Sequence, residues 1–154
     1  MEFDGPFILD LLGGNTQINI ASANVPLDVF EEIEFDMHKN EDTTNEVLFG
    51  KSILIEGTID GVPFVFWHDT NEEFEVDYEN AANDITVTEG GAGIVINFDL
   101  NIIFGAASSI DFSTVTDGDQ DGVIEIHPGD DDGNGDFAHA IKNLLHEASD
   151  LLDD

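Results

Sequence analysis

Cysteine is absent from this 154-residue chain, arginine is absent too, and three lysines are its only strong bases. Without Cys there is no disulfide, no thiolate metal site and no Cys nucleophile. With so few cations the chain cannot displace counterions from a phosphate backbone, which excludes nucleic acid as a partner. Binding to anionic lipid surfaces fails for the same reason. No apolar run approaches the roughly 20 residues needed to span a bilayer, so no transmembrane segment is expected. Met1 is followed by neither a basic n-region nor an apolar h-region. The chain therefore reads as cytosolic, or as an exported protein whose signal has been removed.

What the chain has in excess is acid. Thirty-five Asp and Glu bring the formal charge to −32, and self-repulsion on that scale opposes compaction unless cations screen or neutralise it. Three explanations compete: divalent cations at defined sites, a saline environment in which screening is short-ranged, or a solvated acidic coat. Apolar residues make up 41%, including twelve Phe. A sizeable core is therefore available, and the length suits one domain.

Hydropathy alternates with period two in several segments. In Val29–Met37 the residues Val29, Ile33, Phe35 and Met37 share a face with Glu31, while Glu32, Glu34, Asp36 and His38 lie opposite with Phe30. Glu73–Glu79 repeats this, with Phe74, Val76 and Tyr78 on one side and four acids on the other. Ser52–Ile59 and Val62–His68 flank Asp60-Gly61, a two-residue hairpin signal, because a type I′ turn needs positive φ at both positions. Phe64 and Phe66 fall on one face and Val65 and Trp67 on the other, which suits a central strand. Phe7–Leu12, Thr16–Ala21, Ile85–Val87, Ala92–Phe104 and Gly122–His127 also read as strands. In Ala92–Phe104, Ile94, Ile96, Phe98, Leu100 and Ile102 would point inward. Helical spacing is confined to the end, where Phe137, Ile141, Leu144, Leu145, Ala148 and Leu151 recur at steps of three and four and Asp136 or Asn134 can cap the start. The expectation is a mainly β protein: a monomeric antiparallel β-sandwich of about seven to nine strands with one C-terminal amphipathic helix. It would form a single domain over 1–154, with the sandwich over 1–116, an acidic metal-binding loop over 117–136 and the helix over 137–152.

The acidic outer faces of the strands read as ordinary solvated sheet surface. If Glu32, Glu34 and Asp36 lie beside Glu73, Glu75 and Asp77, they could instead gather surface cations. The segment with the most specific chemistry is Asp117–Asp136, DGDQDGVIEIHPGDDDGNGD, with eight acids and no lysine. Its first nine residues match a calcium loop of the EF-hand type. Asp117, Asp119 and Asp121 stand at positions 1, 3 and 5 and would aim hard oxygens at one point. Gly122 at 6 permits the sharp turn, Val123 at 7 offers a carbonyl, Ile124 at 8 anchors the loop to the core, and Glu125 stands at 9. Position 12, where a bidentate Glu is expected, is Pro128. The missing ligand would come from Asp130, Asp131 or Asp132, folded back by Pro128-Gly129. Alternatively, Asp130, Asp132, Asn134 and Asp136 form a second centre.

These nine residues resemble the isolated calcium loops of dockerins and other exported bacterial proteins, which share DxDxDG without full flanking helices. Dockerins carry two such units and bind cohesins; the single clear loop here does not carry cohesin binding over. A looser likeness covers the whole chain. It rests on an alternating strand ending in Met37-His38-Lys39, the SILIEGTIDGVPFVF hairpin, the INFDL strand, the IDFSTVTDGDQDGVIEI loop and the terminal helix. In that order the chain looks similar to uncharacterised exported or lipid-anchored domains of Bacteroidetes-type bacteria. The resemblance implies a β-rich protein of the extracellular space or cell envelope. The N-terminal Cys that carries the lipid in such proteins is missing.

His127, His139 and His146 lack the usual zinc spacings and read as solvent-exposed side chains. Ser113 and Ser149 have no nucleophile elbow around them. Carboxylate pairs are inevitable in so acidic a chain, and one Trp and one Tyr offer few sugar platforms. The expectation is therefore a non-enzymatic, calcium-binding exported module with calcium as structural ion and an unidentified protein or glycan partner. The alternative is a halophilic-type or weak multi-ion-binding protein without a specific site.

Overall fold

The computed structural model describes residues 7–10, 26–30, 32–77, 85–89 and 100–150. Among them it is mainly β: seven strands in three small, open sheets, with one long helix packed on the largest. The strands are β1 (Val29–Phe30), β2 (Glu32–Met37), β3 (Ile53–Ile59), β4 (Val62–His68), β5 (Glu72–Asp77), β6 (Ile85–Thr86) and β7 (Ile124–Ile126). The helices are α1 (Asn101–Phe104) and α2 (Gly135–Asp150).

The β3–β4 hairpin forms where Asp60-Gly61 marks it. Asp60 has φ 51° and Gly61 φ 86°, the left-handed pair that matches strand twist in a two-residue turn. The resulting register runs from Ile59 opposite Val62 to Ile53 opposite His68. β4 is the central strand of its sheet, and its other neighbour, β7, runs parallel to it. This departs from the all-antiparallel expectation, because short apolar runs do not encode the direction of their neighbour. The register sets Phe64 beside Ile124 and Phe66 beside Ile126. All four point to one face, where α2 covers them with Ala138, Ile141 and Leu145; Ile103 completes the buried cluster. Burying a side chain of Phe or Ile size stabilises by about 1.5–3 kcal/mol, so among the described residues this layer is the main apolar reserve.

β2 pairs antiparallel with β5, and β1 with β6. Phe35 lies opposite Phe74, with ring centroids 4.9 Å apart and nearly parallel. On the other face Glu34 faces Glu75 and Asp36 faces Glu73, while Glu32 and Asp77 are partners in the register. The two acidic strands are thus neighbours.

All three lysines tie elements together. Lys39 bonds Asp69 at 2.8 Å, Lys142 on α2 pairs with Glu72 on β5, and Lys51 bonds the Val47 carbonyl beneath the Trp67 ring.

Other expectations need correction. Phe7–Asp10 has no regular structure and is exposed; the rest of the Phe7–Leu12 run and all of Thr16–Ala21 lie outside the described residues. The end of the Ala92–Phe104 segment is helical, not extended. Leu100 accepts the N–H groups of Ile103 and Phe104, and the turn buries Ile103 where alternation would have buried Ile102. Gly105 closes it, with its N–H on the Asn101 carbonyl. Residues 92–99 lie outside the described set. The terminal helix starts at Gly135 and not at Phe137, and neither expected residue caps it with its side chain. Asp130 Oδ1 receives the Gly135 N–H. Asn134 supplies only backbone, its carbonyl accepting from Phe137 and Ala138.

Candidate metal centre

The loop leaves a 3₁₀ turn at Phe112–Thr114, capped by the Asp111 carboxylate through the Ser113 N–H at 3.0 Å. The carboxylates of Asp117, Asp119 and Asp121 then converge, with a ligand oxygen of each within 4.8 Å of the others. The backbone holds them in place. Asp117 accepts the N–H of Asp121 at 3.1 Å and of Gly122 at 3.0 Å. Asp119 also accepts from Asp121, and Asp121 accepts the N–H of Val123 at 2.8 Å. Gly122 has φ 97°, a conformation that glycine adopts without strain. Val123 is half-buried at position 7, and Ile124 is buried against Phe64 as the first residue of β7. The turn is therefore fixed to the core at its C-terminal side.

After β7 the chain folds back. The His127 carbonyl accepts the Asp130 N–H at 3.1 Å, and Asp130 (φ 61°) and Gly133 (φ 78°) reverse the backbone. Asp132 comes to lie 5% exposed under the loop. Its Oδ1 accepts the N–H groups of Gly118 at 2.8 Å and Asp119 at 3.2 Å, and its Oδ2 that of Glu125 at 2.6 Å. Burial alone would raise its pKa, but these three backbone donors, helped by His127, more than offset that and hold the carboxyl below the usual range. Asn134, 2% exposed, completes the clamp. Its side chain donates to the carbonyls of Thr116 and Glu125 at 2.7 and 2.8 Å and accepts the Thr116 N–H at 3.2 Å.

Asp119, Glu125 and Asp132 form a second group of carboxylates within 4.8 Å of one another. Asp132, sixteenth residue counted from Asp117, thus stands beside positions 3 and 9. The Glu125 carboxyl is pushed above its ordinary value by burial and by the charges of Asp131, Asp132 and Asp121, against His127. Burial first, and converging negative charge after it, disfavour the ionised form of the carboxylate. Asp130 is committed as the helix cap. Of the alternative row Asp130, Asp132, Asn134 and Asp136, the first three hold backbone groups, and Asp132 is the one that also joins a carboxylate group, with Asp119 and Glu125.

A third group joins Glu125, His127 and Asp131. His127 is buried, contrary to the reading from sequence, with its ring stacked on Trp67 at 4.6 Å. Its Nδ1 accepts the Gly129 N–H at 3.0 Å, which leaves Nε2, 3.5 Å from Asp131, as the donor side of the ring. A metal-binding imidazole normally donates through its second nitrogen; this one accepts. The ring is therefore polarised as a donor to carboxylates and not as a zinc ligand. The oxygen-only character of the other two groups suits hard cations such as calcium, magnesium or manganese.

Sequence reasoning missed the clamp. One signal was present in Gly118, where a Cβ would come within 2.4 Å of the Asp132 carbonyl oxygen. The glycine between two acids marks a close approach by a distant strand of backbone. Among the described residues no helix is long and apolar enough to cross a membrane. Comparison with protein-family models, with curated proteins and with solved structures finds no match for this chain.

Proposed function

We propose that this chain is a calcium-stabilised, non-enzymatic β-sandwich module whose loop over Asp117–Asp132 takes a structural calcium ion. The reading rests on one observation: Asp117, Asp119 and Asp121 converge in a turn whose backbone is held from below by Asp132. The side chains of Asp117, Asp119 and Asp121, the carbonyl of Val123 and the carboxylate of Glu125 would supply the oxygens, with Asp132 beside them in place of position 12. Extracellular loops of this type bind at about 10⁻⁴ to 10⁻³ M, which requires millimolar calcium. An exported or envelope setting belongs to the same reading, as does a protein or glycan partner presented with the sandwich loops.

A second reading is supported by the sheet register. Glu34 opposite Glu75 and Asp36 opposite Glu73 build an acidic ribbon that would collect many cations weakly. Calorimetric titration with calcium in 0.1 M salt separates the two. One or two saturable sites support the loop; a long unsaturated tail with no saturable component overturns it in favour of the ribbon.

A further inference from the structure

His68 closes β4 and, alternating with Phe64 and Phe66, faces α2. It is 6% exposed, and neither ring nitrogen has a hydrogen-bond partner. The nearest carboxylate oxygen, on Asp69 in the β4–β5 turn, is 3.8 Å from Nδ1, outside hydrogen-bond range. Asp69 is already bonded to Lys39 at 2.8 Å. Across the seam, α2 presents His139, whose ring stands edge-on at 5.8 Å, and Lys142, whose ammonium pairs with Glu72 of β5. On β3 the pairing partner is Ile53. The charged or titratable groups around His68 are therefore Asp69, Glu72, His139 and Lys142. One is a committed cation and one a potential cation, so the place does not suit a metal ion.

We propose that His68 makes the seam between β4 and α2 acid-labile: protonating its ring puts a cation with no hydrogen-bonded partner between sheet and helix and loosens α2 from the core.

A buried cation without a hydrogen-bonded partner is strongly disfavoured. Burial depresses the imidazole pKa; His139 and Lys142 act in the same direction, and Asp69 and Glu72 oppose them. Above the ordinary imidazole value of about 6.5 the ring is neutral in the folded and unfolded chain alike, and the seam keeps its full stability. Below that value the unfolded chain takes up the proton first. Stability then falls with pH until the depressed folded value is reached. An exposed histidine in so anionic a chain would do the opposite, since its new charge relieves self-repulsion.

The test compares the full chain with His68→Phe, which keeps an aromatic ring and removes the titration. Urea unfolding is measured at pH 7.5 and 5.5, at constant ionic strength and with a chelator present, so that the outcome does not depend on calcium. Acidification is expected to raise the wild-type unfolding constant severalfold relative to the variant, up to about tenfold, the limit for a group titrating near 6.5 in the unfolded chain alone. Parallel pH dependence of the two proteins overturns the proposal. Should the variant fail to fold, the His68 ring is titrated by NMR in the wild type. A midpoint below the ordinary imidazole value supports the proposal, and one at or above it overturns it. Amide hydrogen exchange fixes the place: protection lost first at Ile141 and Leu145 supports the seam, and loss first in β2 and β5 overturns it.

Discussion

The loop over Asp117–Asp132 and the ribbon of β2 and β5 are both dense in acid, yet they are built on opposite principles. In the loop, carboxylates face backbone N–H groups: Asp117, Asp119, Asp121 and Asp132 accept seven such bonds between them from six donors, the Asp121 N–H being shared by Asp117 and Asp119. In the ribbon, carboxylates face carboxylates, Glu34 against Glu75 and Asp36 against Glu73. Hydrogen bonds to a carboxylate are charge-assisted and strong, whereas like charges directly opposite on a sheet are destabilising. The same residue types therefore stabilise one region and weaken the other, and composition alone cannot say which.

The largest expected effect breaks the loop side of that contrast. Asp132→Asn keeps the shape but turns an amide NH₂ toward backbone donors. Hydrogen bonds to charged groups are worth about 1.5–3 kcal/mol, so the variant should lose about 3 kcal/mol in urea unfolding even with a chelator present. The same variant should flatten the acid limb of the stability curve. The depressed carboxyl contributes fully above its ordinary value of about 4 and loses that contribution as pH falls through the folded value. A loss below about 0.5 kcal/mol would mean that the clamp does not hold the loop.

Calcium should act on the loop, and plain salt on the ribbon. At a hundredfold excess over Kd the linkage gain is about 2.7 kcal/mol, whereas potassium chloride at equal ionic strength only screens. Thermal unfolding in the two salts checks this, and equal shifts of Tm would leave the loop without a specific ion. Next in size, Asp119→Asn with Asp121→Asn should weaken the calcium site at least tenfold, or about 1.4 kcal/mol. Glu73→Gln with Glu75→Gln removes the same two charges from the ribbon and should leave that site nearly unchanged. Calorimetry on both variants decides it; equal losses would mean that the acidic surface binds collectively.

What was legible in the sequence is what local backbone chemistry dictates. Asp60-Gly61 specified its turn because both residues must take positive φ, and Gly122 did so for the loop. The alternation around Phe35 and Phe74 specified which sides face the core. The long-range partners were not legible. Nothing near Asp132 announces that its acceptors will meet Gly118 and Asp119, or that Asn134 will reach Thr116. Such contacts depend on how the chain returns after β7. The parallel placement of β7 and the helical turn at Asn101–Phe104 escaped for a related reason: a short apolar run fits a strand or a helix, and tertiary packing decides.

The smallest expected effect tests the ribbon. Glu75→Lys places an ammonium opposite Glu34, both positions being exposed. A repulsive cross-strand pair becomes attractive, and such pairs are worth about 0.2–1 kcal/mol. The gain should be larger in dilute salt, where charges interact over about 30 Å at 0.01 M, and should nearly vanish at 1 M, where the range is about 3 Å. Urea unfolding at both salt concentrations measures it, with Glu75→Gln separating removal of repulsion from creation of attraction. A gain that persists at 1 M would point to better packing of the lysine stem. No gain at low salt would show that the ribbon already holds counterions tightly enough to silence its repulsion, and the contrast between loop and ribbon would then be one of geometry and no longer of energy.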